Sequence, residues 1–119
     1  MRRVTVWTLT IIAAGMFLLA GTLKLTGVQM EVELFTTIGI GQWFRYVTGS
    51  LELLGAIGLF VPALASSAAL LLAAVMVGAI LTHLFIAGGS PLAAVVLLAI
   101  TIAIAYLRRE QISSQLAIA

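Results

Sequence analysis

Four apolar stretches, each close to the length of a membrane-crossing helix, divide this chain: Val4–Leu25, Phe44–Val61, Ser67–Ala87 and Leu92–Leu107. A helix needs roughly 20 predominantly apolar residues to cross the hydrocarbon core of a bilayer. Inside that core every backbone N–H and C=O must find its partner within the protein, so apolar runs of this length fold as helices. The expected fold class is therefore all-α: a four-helix transmembrane bundle forming a single integral membrane domain over residues 1–119. Composition agrees, since 63% of the residues are hydrophobic and only 8% charged. A mean hydropathy of +1.26 is far from that of a soluble globular domain. The fourth stretch is the shortest, so it is expected to stand upright or in a locally thinned bilayer.

The residues between the stretches fit the same division. Pro62 closes the second, and Ser66-Ser67 can cap the third. Gly88-Gly89 ends the third. Ser90-Pro91 then supplies an N-cap followed by proline at the first helical position. Connections this short force antiparallel neighbours, hence an up-down-up-down order. The opening Met-Arg-Arg and its apolar run resemble a signal peptide, but no charged hydrophilic body follows, so a retained membrane helix is expected.

The longest connection, Thr26 to Trp43, has a pattern of its own. Met30, Leu34 and Ile38 recur at i, i+4 and i+8 with Phe35 beside them, while Glu31 and Glu33 lie off that line. This predicts a short amphipathic interfacial helix between spans one and two. Arg2 and Arg3 precede span one, and Arg108 and Arg109 follow span four. By the positive-inside rule both the N and C termini are then cytoplasmic, and the long connection faces outward. Trp7 and Tyr106 fall at the inner boundary and Trp43 and Tyr46 at the outer one, the belt positions that aromatic amphiphiles prefer.

Three ionisable residues stand inside these apolar segments: Lys24, Glu52 and His83. A charge within a membrane segment costs a few kcal/mol on insertion scales, so each calls for a reason. Lys24 ends span one at the outer boundary. Counting the helical rise places Glu52 roughly 12 Å below that boundary and His83 about 6 Å below it. Gly49, Glu52 and Ala56 follow at i, i+3 and i+7, which puts the carboxylate on a small-residue face turned into the bundle. Met76, Ala79 and His83 make a similar stripe with Thr82 at its flank. The simplest packing brings Lys24, Glu52 and His83 around an outward-opening pocket, with Arg45 and Trp43 at its rim completing the candidate ligand-binding set. Two readings stay open: a network that only fixes helix register, or a pocket for a quinone, a lipid or a proton. Arg45 is most simply a lipid head-group anchor.

Several chemistries are excluded. With no cysteine and one histidine, the chain has neither thiol redox chemistry nor thiolate, bis-histidine haem or His-rich metal sites. No catalytic set is expected, nor a metal. The net charge of +2 comes mostly from the two ends, so no basic face supports nucleic-acid binding.

At this point the chain resembles a known family. The run Ala20-Gly21-Thr22-Leu23-Lys24-Leu25, then Glu33 and Phe35 before Ile38-Gly39, resembles the start of DoxX-like membrane proteins. Gly49-Ser50-Leu51-Glu52-Leu53-Leu54-Gly55-Ala56-Ile57-Gly58-Leu59, closing at Pro62, is similar to their most recognisable stretch, and Ala79-Ile80-Leu81-Thr82-His83 to the end of their third span. The resemblance covers about residues 10–107. It implies a four-helix bundle in a prokaryotic plasma membrane, with Lys24, Glu52 and His83 as the shared polar set. Bacterial and archaeal members are tied to membrane oxidoreductase systems, including quinone-linked sulfur oxidation and oxidative-stress complexes, and other relatives to membrane-protein assembly.

The expected function is accordingly an accessory subunit of a membrane redox assembly that binds a quinone or lipid and is not catalytic by itself. Its expected partners are membrane lipids and other membrane subunits or further copies of the chain. Without a cofactor motif it supplies binding, orientation and proton exchange. The alternatives are a small proton-coupled transporter acting as a dimer and a ligand-free assembly protein. Small multidrug transporters share the length and the four spans, but they place their glutamate in span one, where this chain carries Lys24.

Overall fold

The computed structural model describes residues 2–110, so the two ends of the expected 1–119 domain lie outside the described residues. The described residues are mostly helical, with short turns between the helices, and contain no strand. Five helices follow one another: α1 (Arg2–Thr26), α2 (Gln29–Ile38), α3 (Trp43–Phe60), α4 (Ala65–Thr82) and α5 (Leu92–Leu107). A π-helical turn, His83–Ala87, continues α4. With the π-helical turn counted as part of α4, the four long helices lie within a residue or two of the four apolar stretches, and α2 falls in the connection expected to hold a short amphipathic helix.

Each boundary has a local cause. Gly27, at φ +72°, breaks α1, and Val28 N–H donates back to the Leu23 carbonyl at 3.3 Å. Gly39, at φ +89°, ends α2 with its N–H on the Phe35 carbonyl. Both glycines occupy left-handed backbone that side chains disfavour. Helix α3 stops at Phe60, two residues before Pro62, as the restricted residue before a proline requires. Helix α4 begins two residues earlier than the Ser66-Ser67 cap implied. Leu64 is its N-cap and offers no side-chain bond, while Ser66 is buried within the first turn. Helix α5 starts one residue later than Ser90-Pro91 implied: Pro91 is the N-cap rather than the first helical residue, its carbonyl taking the first helical bond from Val95, while Ser90 Oγ accepts the Leu92 N–H at 3.2 Å.

Helices α1, α3, α4 and α5 pack in a ring, α1 on α3, α3 on α4, α4 on α5 and α5 back on α1, with α2 laid across one end. The core is small-residue packing around a few large side chains: Phe17, Leu59, Leu72 and Ile104 are fully buried among Ala13, Ala14, Ala56 and Ala69. The closest approach joins α1 and α3. A Cβ placed on Gly21 would stand 2.8 Å from the Gly49 carbonyl oxygen, and one on Gly49 would stand 2.9 Å from Lys24 Cβ. Two helices come this near only where neither carries a side chain. Buried hydroxyls return their protons to their own helix: Thr10 to Val6 O at 2.8 Å and Thr101 to Leu97 O at 2.9 Å.

Two helices are long and apolar enough to cross a membrane by length and composition, Arg2–Thr26 and Ala65–Ala87, with Leu92–Leu107 a shorter apolar helix. Helix α3, which carries Arg45 and Glu52 within 18 residues, is not among them.

Candidate functional site

The Gly21–Gly49 contact sets the register of α1 on α3, and that register brings Lys24 to Glu52. Lys24 Nζ lies 2.9 Å from Glu52 Oε1. Glu52 sits in the middle of the buried face of α3, between Gly49 and Gly55-Ala56, and is 1% exposed. The small-residue stripe therefore does point inward, carrying the carboxylate with it. A second carboxylate joins the same ammonium: Glu31 Oε1 of α2 lies 3.7 Å from Lys24 Nζ.

Glu31 corrects the amphipathic reading of the long connection. The residues that α2 buries are Glu31 and Phe35, while Met30, taken as part of the apolar line, is exposed. The inward line is Glu31, Phe35 and Ile38, at i, i+4 and i+7, with Leu34 beside it. The physical reason is charge: a helix starting just after Lys24 turns its carboxylate toward the ammonium that α1 presents. The signal was in the sequence as that i, i+4, i+7 spacing, hidden because its first member is acidic.

These groups border a cavity of about 550 Å³ between α2, α3 and α4. One part of the wall is polar, with Lys24, Glu31, Glu52, Thr48, Thr82 and His83. The rest is apolar, with Leu34, Phe35, Ile38 and Phe44 on one side and Leu71, Val75 and Met76 on the other. Met76, Ala79 and His83 all face it, as their spacing implied. His83 opens the π-helical turn, and its Nδ1 lies 2.8 Å from the Gly88 carbonyl. A carbonyl only accepts, so Nδ1–H donates. Of the three polar residues singled out in the sequence, Lys24 and Glu52 thus pair directly. His83 lines the same cavity but is tied to backbone.

Arg45 and Trp43 are not brought to that cavity. Arg45, expected to anchor a lipid head group, is 5% exposed and turned inward. Its Nη1 donates to the Lys24 carbonyl, its Nε donates to Gln42 Oε1 at 2.7 Å, and its guanidinium lies 4.4 Å from the Tyr46 ring centroid. It closes the open C-terminal end of α1, where the last carbonyls lack helical partners. Gly27 is what admits it, since a Cβ there would meet Arg45 Nη1 at 3.2 Å. Trp43 stays on the surface, its Nε1 donating to Ile40 O at 2.7 Å and its ring edge-on to Phe44. At the far end of the ring Arg2 donates to Leu107 O and Arg109 lies over Tyr106, so the basic residues of both ends gather there.

The model of the DoxX-like family matches residues 8–106. This chain belongs to the DoxX-like family. The match runs from the first turns of α1 to the last turn of α5 and includes Lys24, Glu31, Glu52 and His83. Comparison with curated proteins and with solved structures finds no match. The DoxX-like assignment, with the apolar helices, makes this a membrane protein; the ligand has to be argued from the cavity.

Proposed function

We propose that this DoxX-like protein is a four-helix transmembrane bundle whose cavity receives the polar head of a membrane amphiphile, a quinone-like molecule or a lipid. We place it as an accessory subunit of a redox assembly in the prokaryotic plasma membrane. The observation that carries the reading is the make-up of the cavity wall, with Lys24, Glu31 and Glu52 converging where α1, α2 and α3 meet and apolar side chains of α2 and α4 covering much of the remainder. Such a wall suits a ligand with a small polar end and a hydrocarbon body.

The membrane placement draws support from the outer surface. Leu54 and Ile57 on α3, Leu81, Leu84 and Phe85 near the end of α4, and Leu92 and Ile102 on α5 are large, apolar and exposed. Apolar surface on this scale is at home in lipid. The cluster of Arg2, Arg3, Arg108 and Arg109 at one end favours a cytoplasmic placement for that end, which puts α2 and the cavity on the outer side.

The test is a preparation extracted in mild detergent and examined by mass spectrometry. The expected result is a bound quinone or lipid together with co-purifying membrane subunits. A chain that carries neither, in cells whose redox phenotype is intact after Glu52→Gln, would overturn the reading.

A further inference from the structure

Counting donors and acceptors around the cavity says which kind of head group fits, on the footing of the amphiphile reading above. The hydroxyl and imidazole donors of the wall are already committed within the protein. Thr48 donates to Phe44 O and Thr82 to Gly78 O, each at 2.8 Å, and His83 donates to Gly88 O. With Nδ1–H so engaged, the neutral imidazole has only an acceptor left. Lys24 is shared between two carboxylates. Acceptors, by contrast, are in surplus. Glu31 is 8% exposed, lines the cavity, and its Oε2 is buried without a hydrogen-bond partner among the described residues. A buried carboxylate oxygen left unpaired is costly, more so than a neutral acceptor, so the site is completed by whatever donates to it.

We infer that the cavity selects a head group that donates a hydrogen bond to Glu31, a hydroxyl or an amine on an apolar body, over one that only accepts. For a redox amphiphile this favours the quinol, with its O–H groups, over the quinone. For a lipid it favours a free hydroxyl or amine over an ester or ether head. An acceptor-only molecule could reach only the Lys24 ammonium, in competition with Glu52 and Glu31, and would leave Glu31 Oε2 without a donor.

The test uses the full chain in detergent or nanodiscs with a long-chain alkylphenol, its methyl ether and the matching alkylamine. Phenol and ether share the ring and the tail and differ in a single donor. The expected result is binding of the phenol at least about tenfold tighter than the ether, the order expected for one charge-assisted hydrogen bond. Glu31→Met keeps the length and deletes both acceptors, and is expected to bring the two within about twofold. Should that variant fail to fold, Glu31→Gln, which leaves a neutral acceptor, is expected to narrow the gap by about threefold or more. The amine tells the donor sources apart: tighter than the phenol, it assigns an ammonium head, and weaker, a hydroxyl. Equal binding of phenol and ether to the unaltered chain, or a gap that Glu31→Met leaves unchanged, would overturn the inference while leaving the amphiphile site standing. If none of the three binds, the site itself falls.

Discussion

Replacing Lys24 by Met removes the ammonium that stands 2.9 Å from Glu52 and 3.7 Å from Glu31. The two partners of this pair are not equally placed. Glu52 is 1% exposed, with Lys24 as its ion-pair partner, so Lys24→Met leaves an uncompensated charge in the core. Breaking a buried pair in this way costs about 3–5 kcal/mol. Glu52→Met leaves a less buried ammonium that keeps Glu31 and has a long stem with which to reach the boundary. Its cost is that of one charged hydrogen bond, about 1.5–3 kcal/mol. The double variant buries two apolar side chains of similar length and should cost less than Lys24→Met alone, because replacing both partners of a buried pair is often close to neutral. The cycle is read by unfolding the purified protein, with detergent titration or thermal melting in nanodiscs. The asymmetry and the strong non-additivity are the signature of the pair. Costs that simply add, or Glu52→Met costing more than Lys24→Met, would refute the reasoning.

Other changes have equally definite outcomes. Gly49→Ala drives a methyl against Lys24 Cβ and the Gly21 carbonyl and should destabilise by about 1–3 kcal/mol, whereas Gly78→Ala, with open space around it, should stabilise by about 0.5–1 kcal/mol. Both are read in the same unfolding assay. Arg45→Lys is expected to fray the end of α1, since an ammonium cannot reproduce a planar group bonded to Gln42 and Lys24 while lying on Tyr46. Limited proteolysis near Gly27 should then accelerate. His83→Ala should loosen the turn at Gly88, seen as faster amide exchange there, with the stability of the α1–α3 contact unchanged. Because the chain has no cysteine, Thr37→Cys and Glu110→Cys each place a single thiol. An impermeant maleimide on intact cells should label the first, and the second only after permeabilisation; the reverse would invert the orientation.

Most of the helical architecture was legible because its signals are strong and local. Apolar runs of bilayer length, proline and paired glycines bounded the helices within a residue or two. The face of α3 was legible as well, since Gly49, Glu52 and Ala56 repeat at helical spacing and small residues mark close approach. The sequence was less informative wherever a polar side chain chose between two environments. Arg45 read as a surface anchor because arginine in an outer connection usually is one. What decides its position is the unpaired end of α1 and the room left at Gly27, which are tertiary facts. Glu31 was misplaced for a related reason: a pattern search that ranks residues by hydropathy assigns a carboxylate to water, and cannot weigh the pull of an ammonium one turn away in space but seven residues away in sequence. The π-helical turn at His83 left no readable trace.

The charged groups where α1, α2 and α3 meet therefore divide according to what each still lacks. Arg45 and Lys24 have protein partners on several sides, and Glu52 has its ammonium at 2.9 Å. These hold α1, α2 and α3 in register, and the Gly21–Gly49 approach depends on them as they depend on it. Two carboxylate oxygens among these are buried without a hydrogen-bond donor, Glu52 Oε1 and Glu31 Oε2. The first has the Lys24 ammonium at 2.9 Å, while the second has no charge partner of its own, on α2, the helix that lies across the end of the ring. The pair with Lys24 accounts for Glu31 Oε1 and leaves Oε2 with no structural partner. Register and recognition thus fall to different residues, and variants can separate them. Disturbing Lys24–Glu52 should unfold the protein before it alters selectivity, and disturbing Glu31 should alter selectivity before it unfolds the protein.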